Sequence, residues 1–155
     1  MSSKTLALDE KIEHLDLAPS LVVDEAIPLS EVLGRMRQAK RGSVMVCRDG
    51  KLTGVFTERD YLNKYALENV SPDKQIGEFM TPHPEIIHLD TPLGKAVELM
   101  HEKHVRNLPI VDAEGRPKGL LTVGRVIRYL ADHYPREVVN LPPKLRQIMS
   151  ESEGA

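Results

Sequence analysis

The chain contains two copies of one sequence pattern, and this duplication constrains its fold more than any other feature. Residues 41–62, RGSVMVCRDGKLTGVFTERDYL, align without a gap on residues 106–127, RNLPIVDAEGRPKGLLTVGRVI, 65 positions later. Upstream, IPLSEVLGRM aligns on TPLGKAVELM only 64 positions later, so one extra residue in the second copy, ahead of the hairpin, absorbs the difference. Each copy spans about 50 residues, too few to bury a stable core alone, so we expect the copies to pack together.

Each copy predicts the order strand, helix, strand, strand, helix. Short extended runs at 20–24 and 85–89 come first, and each precedes a helix with apolar residues at i, i+3, i+4 and i+7. A turn around Asp49-Gly50, or around 113–115 in the second copy, joins two strands. We expect Thr91 to cap the second copy's first helix. The predicted segments are an N-terminal extension 1–17, repeat 1 at 18–69, a linker with repeat 2 at 70–135, and a tail 136–155.

The stretch GVFTERD, residues 54–60, has both a structural and a functional interpretation. Thr57 and Asp60 precede an apolar helix with the spacing of a helix cap, in which the hydroxyl accepts from a backbone amide. The same first turn offers amides and a hydroxyl to a phosphate, and a carboxylate that can accept from ribose hydroxyls. Gly54 would let a ligand or a facing strand approach the backbone closely.

The duplicated order, with glycine, two apolar residues, threonine and aspartate at the second strand-to-helix junction, resembles the CBS domain pair, or Bateman module, over about residues 18–135. This resemblance implies an α/β fold of tandem CBS repeats packed as a pseudo-twofold pair. It implies two clefts that bind adenosine-containing ligands such as AMP, ADP, ATP, NAD or S-adenosylmethionine. It also implies a regulatory, non-enzymatic homodimer without a catalytic cofactor, in which the ligand signals to an unknown regulated protein.

The resemblance assigns residues to both clefts. The first cleft would use Thr57 for phosphate, Asp60 for ribose, Arg41 for phosphate, and an adenine side formed by Met80, Thr81, Glu85, Ile86, Val105 and Arg106. The second cleft would use Thr122, Arg125, Leu21, Val22 and Lys40, together with Arg106. The dimer interface would contain Leu62, Tyr65, Ala66, Ile127, Tyr129 and Leu130.

Arg125 departs from the family pattern because it stands where the ribose-binding acid belongs. A guanidinium has donors and no acceptor, so it cannot accept from ribose hydroxyls. We therefore expect the second cleft to be empty of an ordinary nucleoside, or to hold a phosphate or carboxylate instead. The alternative for the whole chain is a dimerisation scaffold that binds no ligand.

Composition argues against several other function classes. The 21 basic and 23 acidic residues give a net charge of −2, and there is no Trp, so neither charge nor stacking favours nucleic-acid or membrane binding. No apolar run reaches the ~18 residues of a membrane span, and the N-terminus does not resemble a signal peptide. The lone Cys47 agrees with a reducing compartment, so we expect a cytoplasmic location.

Enzymatic and metal chemistry have weak support in the sequence. His101 and His104 are spaced to share a helix face, but no cysteine or acid joins them at a recognisable spacing, so we expect no metal site. His104 could instead contact phosphate from the cleft edge. No nucleophile stands beside a base, and no phosphate-binding loop motif is present.

Overall fold

The structure, a computed structural model, describes residues 7–17 and 19–133, and it contains the predicted element order in full in repeat 1 and without the first strand in repeat 2. The predicted tail 136–155 lies outside the described residues. Repeat 1 comprises β1 (Val22–Asp24), α1 (Leu29–Ala39), β2 (Ser43–Arg48), β3 (Lys51–Thr57) and α2 (Glu58–Asp60), which continues as a π-helical turn, Tyr61–Tyr65. A short strand β4 (Thr81–Pro82) follows, and repeat 2 comprises α3 (Leu93–Lys103), β5 (Asn107–Val111), β6 (Pro117–Thr122) and α4 (Val123–His133).

The strands form one sheet in each repeat. In repeat 1, β1 pairs parallel with β2, and β2, β3 and β4 pair antiparallel in that order. In repeat 2, β5 pairs antiparallel with β6, and a single parallel bridge between Ile87 and Ile110 takes the place of the β1–β2 pairing. The predicted extended run 85–89 therefore contributes one bridge rather than a full strand.

The helices α1 and α3 begin and end in the same way. Their apolar stripes bury Leu29, Val32 and Met36 in α1, and Leu93, Ala96 and Met100 in α3. Pro28 and Pro92 hold the N-cap positions without a side-chain hydrogen bond. The predicted Thr91 cap is therefore wrong, because the Thr91 hydroxyl accepts from the His88 amide at 3.0 Å instead.

Each repeat has its own hydrophobic core. The core of repeat 2 includes a segment that precedes repeat 1 in the chain, and the core of repeat 1 includes a segment that precedes repeat 2. Ile12 and Leu15 are buried with the side chains of α3, β5 and β6, whereas Ile76 and Phe79 are buried with those of α1, β2 and β3. The predicted boundaries had placed Ile12 in an extension outside both repeats and Ile76 in repeat 2. The segments 12–15 and 76–79 thus connect the two repeats, because each packs into the core of the repeat that does not directly follow it in the chain.

The backbone contacts of these two segments match at a spacing of 64 residues. The Ile12 amide donates to the Thr91 carbonyl at 3.0 Å, and the Ile76 amide donates to the Ile27 carbonyl at 2.8 Å. The Leu93 amide likewise donates to the Glu10 carbonyl, as the Leu29 amide does to the Lys74 carbonyl, both at 2.8 Å. This repetition gives the pair its pseudo-twofold relation.

The extra residue of repeat 2 lies in the hairpin turn and not ahead of the hairpin. Val46 pairs with Gly54, and the equivalent pair is Ile110 with Gly119, which puts β2 and β5 only 64 positions apart. A two-residue turn, Asp49-Gly50, joins β2 to β3, whereas three residues ending at Gly115 form the second turn. The gapless alignment of residues 41–48 on 106–113 is therefore wrong, and Val105 is the true counterpart of Arg41.

Candidate functional site

The two predicted threonines cap the helices that follow β3 and β6. The Thr57 hydroxyl oxygen accepts from the Asp60 amide at 3.0 Å, and the Thr122 hydroxyl oxygen accepts from the Arg125 amide at 3.1 Å. The structural interpretation of GVFTERD is thus confirmed for both copies. Each cap uses a lone pair of the hydroxyl, which leaves its O–H free to donate to a ligand.

The larger cleft lies between the start of α2 and the start of β5, and its volume is about 750 Å³. Of the residues predicted for the first cleft, the structure brings five together in its wall, Thr57, Asp60, Thr81, Val105 and Arg106. The two sides come from different repeats, so a molecule in this cleft would touch both.

Asp60 keeps its acceptor capacity within the first cleft. Its side chain is 25% exposed, and the only cation near its carboxylate among the described residues is Lys64, with Nζ 4.0 Å from Oδ1. The chain turns into the π-helical segment directly after Asp60, and the Ala66 amide donates to the Tyr61 carbonyl at 2.8 Å. Such π turns occur frequently at functional sites.

Four residues predicted for the first cleft lie elsewhere. Arg41 lines the second cleft, and Met80 packs against the core of repeat 1 and against Gly54. Glu85 forms an ion pair with Lys103 at 3.8 Å, and Ile86 lines a separate depression beside the hairpin turns.

The first cleft also contains His104, which the sequence suggested as a phosphate contact at the cleft edge, and several residues that the sequence did not single out. His104, considered only as an edge contact, and Asn107 stand beside Arg106, while Val44, Val55 and Leu120 supply an apolar surface. His104 has a left-handed backbone, φ 54°, because it ends α3, as Lys40 ends α1 with the same φ. Lys40 was predicted for the second cleft, and a spacing of 64 residues makes His104 its counterpart. This equivalence is the sequence signal that places His104 in the first cleft.

The second cleft is smaller, about 200 Å³, and is formed at the start of α4. Four of its predicted residues, Leu21, Lys40, Thr122 and Arg125, line it together with Arg41. Val22 is absent from this wall and is 41% exposed. Arg106, also predicted here, lines the first cleft instead.

Candidate metal ligands do not cluster in the part of the chain that the structure describes. Residues 7–17 and 19–133 contain no group of three His, Cys, Asp or Glu side chains that could hold a metal ion. Cys47 lies in β2 outside both clefts, and burial, assisted by Asp24, raises the pKa of its thiol. None of the helices in these ranges is long and apolar enough to cross a membrane.

With the clefts defined, comparisons with known proteins identify the family. A family model described as "CBS domain" matches the chain twice, at residues 12–67 and 76–132. The chain belongs to the CBS domain family. The two matches begin at Ile12 and Ile76, the first residues of the segments 12–15 and 76–79 that each pack into the core of a repeat. CBS domain pairs are in general regulatory rather than catalytic modules.

Two relatives of known sequence are CBS domain-containing proteins of Arabidopsis thaliana. CBSCBSPB3 is 35% identical over 89 residues, which cover 57% of this chain and 16% of that protein. Mitochondrial CBSX3 is 29% identical over 112 residues, which cover 68% of this chain and 54% of that protein. The chain thus spans a small part of the first relative and about half of the second.

Solved structures confirm the fold class as an α/β pair of CBS repeats. CBSX2 in complex with AMP superposes with a TM-score of 0.66 and 28% identity, covering 79% of this chain and 96% of that one. The cytosolic domain of the Mg²⁺ channel MgtE in complex with ATP superposes with a TM-score of 0.63 and 27% identity, covering 81% of this chain and 52% of that one.

Proposed function

We propose that this protein is a regulatory module that binds an adenine nucleotide in the first cleft and signals its presence to a partner protein. The observation that carries the proposal is the placement of Thr57 and Asp60 on one helical turn that faces the other repeat across a cleft of about 750 Å³. The similar CBSX2 and MgtE structures, which hold AMP and ATP, support an adenine nucleotide as the ligand class.

The wall residues match the parts of a nucleotide. The Asp60 carboxylate can accept from both ribose hydroxyls, and the Thr57 hydroxyl can donate to a phosphate oxygen. Arg106 and His104, from the opposite side, can add charge-assisted contacts to the phosphate. Val44, Val55 and Leu120 offer an apolar surface for the adenine ring.

The position of the cleft provides a route to regulation. Residues from both repeats line it, so a bound nucleotide would favour the arrangement of the repeats that contacts it best. A partner that reads this arrangement would respond to the nucleotide without touching it.

We further propose that the module acts as a homodimer. Leu62, which follows Asp60, is 65% exposed, and its counterpart Ile127 on α4 is 62% exposed. Ala66 is exposed as well, whereas Tyr65, Tyr129 and Leu130 pack partly against the two cores. Exposed apolar side chains at equivalent positions of both repeats suit an interface with a second copy.

A thermal-shift screen with AMP, ADP, ATP, NAD and S-adenosylmethionine tests the nucleotide proposal. A ligand at 100 times its Kd should stabilise the protein by about 2.7 kcal/mol. For a chain of this size that corresponds to a rise in Tm of about 5–10 °C. Asp60→Ala should abolish the shift while changing the stability of the unliganded protein by less than about 1 kcal/mol, because Thr57 still caps the helix.

Asp73→Ala is the matched control. Asp73 is an exposed carboxylate of the linker and lines neither cleft, so its removal changes the net charge equally and should leave the shift intact. A shift that survives Asp60→Ala would place the ligand in another site. No shift with any of the five ligands would favour the scaffold alternative, for which Arg125 in the second cleft is the supporting observation.

A further inference from the structure

The second cleft concentrates positive charge in a chain whose net charge is −2. Lys40, Arg41 and Arg125 all line a pocket of about 200 Å³. Within residues 7–17 and 19–133, no carboxylate lies within 4.0 Å of their charged nitrogen atoms, although ten other ion-pair contacts are present. The pocket therefore holds three cations that the described part of the chain does not neutralise.

Arg125 is oriented by the backbone of the N-terminal segment. Its Nη1 donates to the Asp16 carbonyl at 3.3 Å, and its other guanidinium N–H groups have no hydrogen-bond acceptor among the described residues. Its own amide is held by the Thr122 hydroxyl oxygen, so the side chain starts from a fixed point on the first turn of α4. A guanidinium held in this way is suited to bidentate recognition of a planar or tetrahedral oxyanion.

Two more donors are close to Arg125. The Thr122 hydroxyl retains its O–H after accepting from the Arg125 amide. Gly124 is the second residue of α4, an eleven-residue helix, and its amide has no acceptor within the helix. The positive end of the helix dipole adds to the charge of the three cations. The wall of the second cleft thus contains no carboxylate, whereas the first cleft offers the carboxylate of Asp60.

The size of the second cleft also separates it from the first. Pockets for drug-sized molecules measure about 300–1,000 Å³, a range that includes the first cleft and not the second. The two clefts share four wall residues, Gly42, Ser43, Leu120 and Thr122, so they are adjacent. A phosphate group can therefore reach the second cleft alone, or as the end of a nucleotide whose nucleoside occupies the first.

We propose that the second cleft is a phosphate-binding site, in which Arg125, Lys40 and Arg41 hold phosphate oxygens and no nucleoside is bound. The charged side chains of this site differ from those of the proposed nucleoside site, so the two sites can be tested separately. Inorganic tripolyphosphate is the probe, and its Kd is measured by isothermal titration calorimetry with the full chain.

Arg125→Gln should weaken tripolyphosphate binding at least tenfold. Lys40→Asn should weaken it severalfold, and asparagine tolerates the left-handed backbone that Lys40 adopts. Lys51→Gln is the matched control, because this substitution also removes one positive charge. Lys51 lies at the far end of β3, six residues and so about 20 Å from Thr57. Circular dichroism confirms that each variant is folded. Because tripolyphosphate carries no nucleoside, these results do not depend on the proposed nucleotide function.

Competition experiments distinguish the two sources of the phosphate. Displacement of tripolyphosphate by ATP supports a nucleotide whose phosphates extend into the second cleft. Simultaneous binding of ATP and tripolyphosphate supports a free phosphate compound. The proposal is overturned if Arg125→Gln binds tripolyphosphate as tightly as wild type, if Lys51→Gln weakens binding as much as Arg125→Gln, or if adenosine without phosphate displaces the probe.

Discussion

Replacing Ile12 by alanine should destabilise the second repeat, although this residue lies about 80 positions before α3. Its side chain is fully buried among residues of α3, β5 and β6, including Leu93, Leu108 and Leu121. Its amide is anchored to the Thr91 carbonyl at 3.0 Å, so the backbone cannot withdraw without breaking a hydrogen bond. The truncation therefore leaves a cavity that the surrounding strands and helix cannot easily close.

The expected cost follows from the loss of a buried branched side chain. Isoleucine-to-alanine substitutions in protein cores destabilise by about 2–5 kcal/mol. For a chain of this length such a loss lowers Tm by roughly 4–20 °C. Urea unfolding followed by circular dichroism measures the free energy directly, and an unchanged m-value shows that the transition remains comparable. Ile76→Ala, the equivalent change in the other core, should cost a similar amount.

The neighbouring substitution Lys11→Ala provides the control. Lys11 is exposed, and the bridge to Pro92 and the hydrogen bond from the His14 amide both use its backbone, so truncating its side chain should change stability by no more than about 0.5 kcal/mol. The reasoning is refuted if Ile12→Ala costs no more than Lys11→Ala, because the segment 12–15 would then not belong to the second core.

Two further predictions concern single residues of the first sheet. Gly54→Ala should destabilise by about 1–3 kcal/mol, because an added Cβ would lie 2.5 Å from the Met80 Sδ and 2.8 Å from the Thr81 carbonyl oxygen. Gly119→Ala, whose Cβ would meet no atom closer than 3.6 Å, should be neutral or stabilising, and equal urea midpoints for the two variants would contradict this. Because burial raises the pKa of the Cys47 thiol, the folded state holds that proton more tightly, so stability should fall as pH rises past the ordinary value of 9.0. Cys47→Ala should lose this part of the pH dependence in urea titrations. An identical pH dependence in the wild type and in Cys47→Ala would exclude a contribution from the thiol.

The sequence predicts those parts of the fold that have local signals. Short apolar runs, the glycine-containing turns and the Thr-x-x spacing lie within a few residues of the structures that they specify. The strands β2 and β3 and both helix caps could therefore be predicted. The exchange of segments 12–15 and 76–79 depends on contacts between distant residues. Its one sequence signal is the repetition of Ile12 and Leu15 as Ile76 and Phe79, 64 positions later.

The position of Arg41 shows how an alignment by identity can mislead. Arg41 and Arg106 match in the gapless alignment, yet strand pairing makes Val105 the counterpart of Arg41. The Arg41 and Val105 amides donate to the Met36 and Met100 carbonyls at 2.9 and 3.1 Å, which confirms this equivalence. The longer second turn accommodates the extra residue at the opposite end of the hairpin. Arg41 consequently contributes to the second cleft, where three cations gather.

A calorimetric titration of the full chain with AMP tests the central claim most directly, because it counts the nucleoside sites. The two clefts have unequal residues, with Asp60 in the first and Arg125 in the second. We predict one AMP bound per chain, and no measurable binding to Asp60→Ala at the same concentrations. Two equivalent AMP sites per chain, or unchanged binding by Asp60→Ala, would contradict the account.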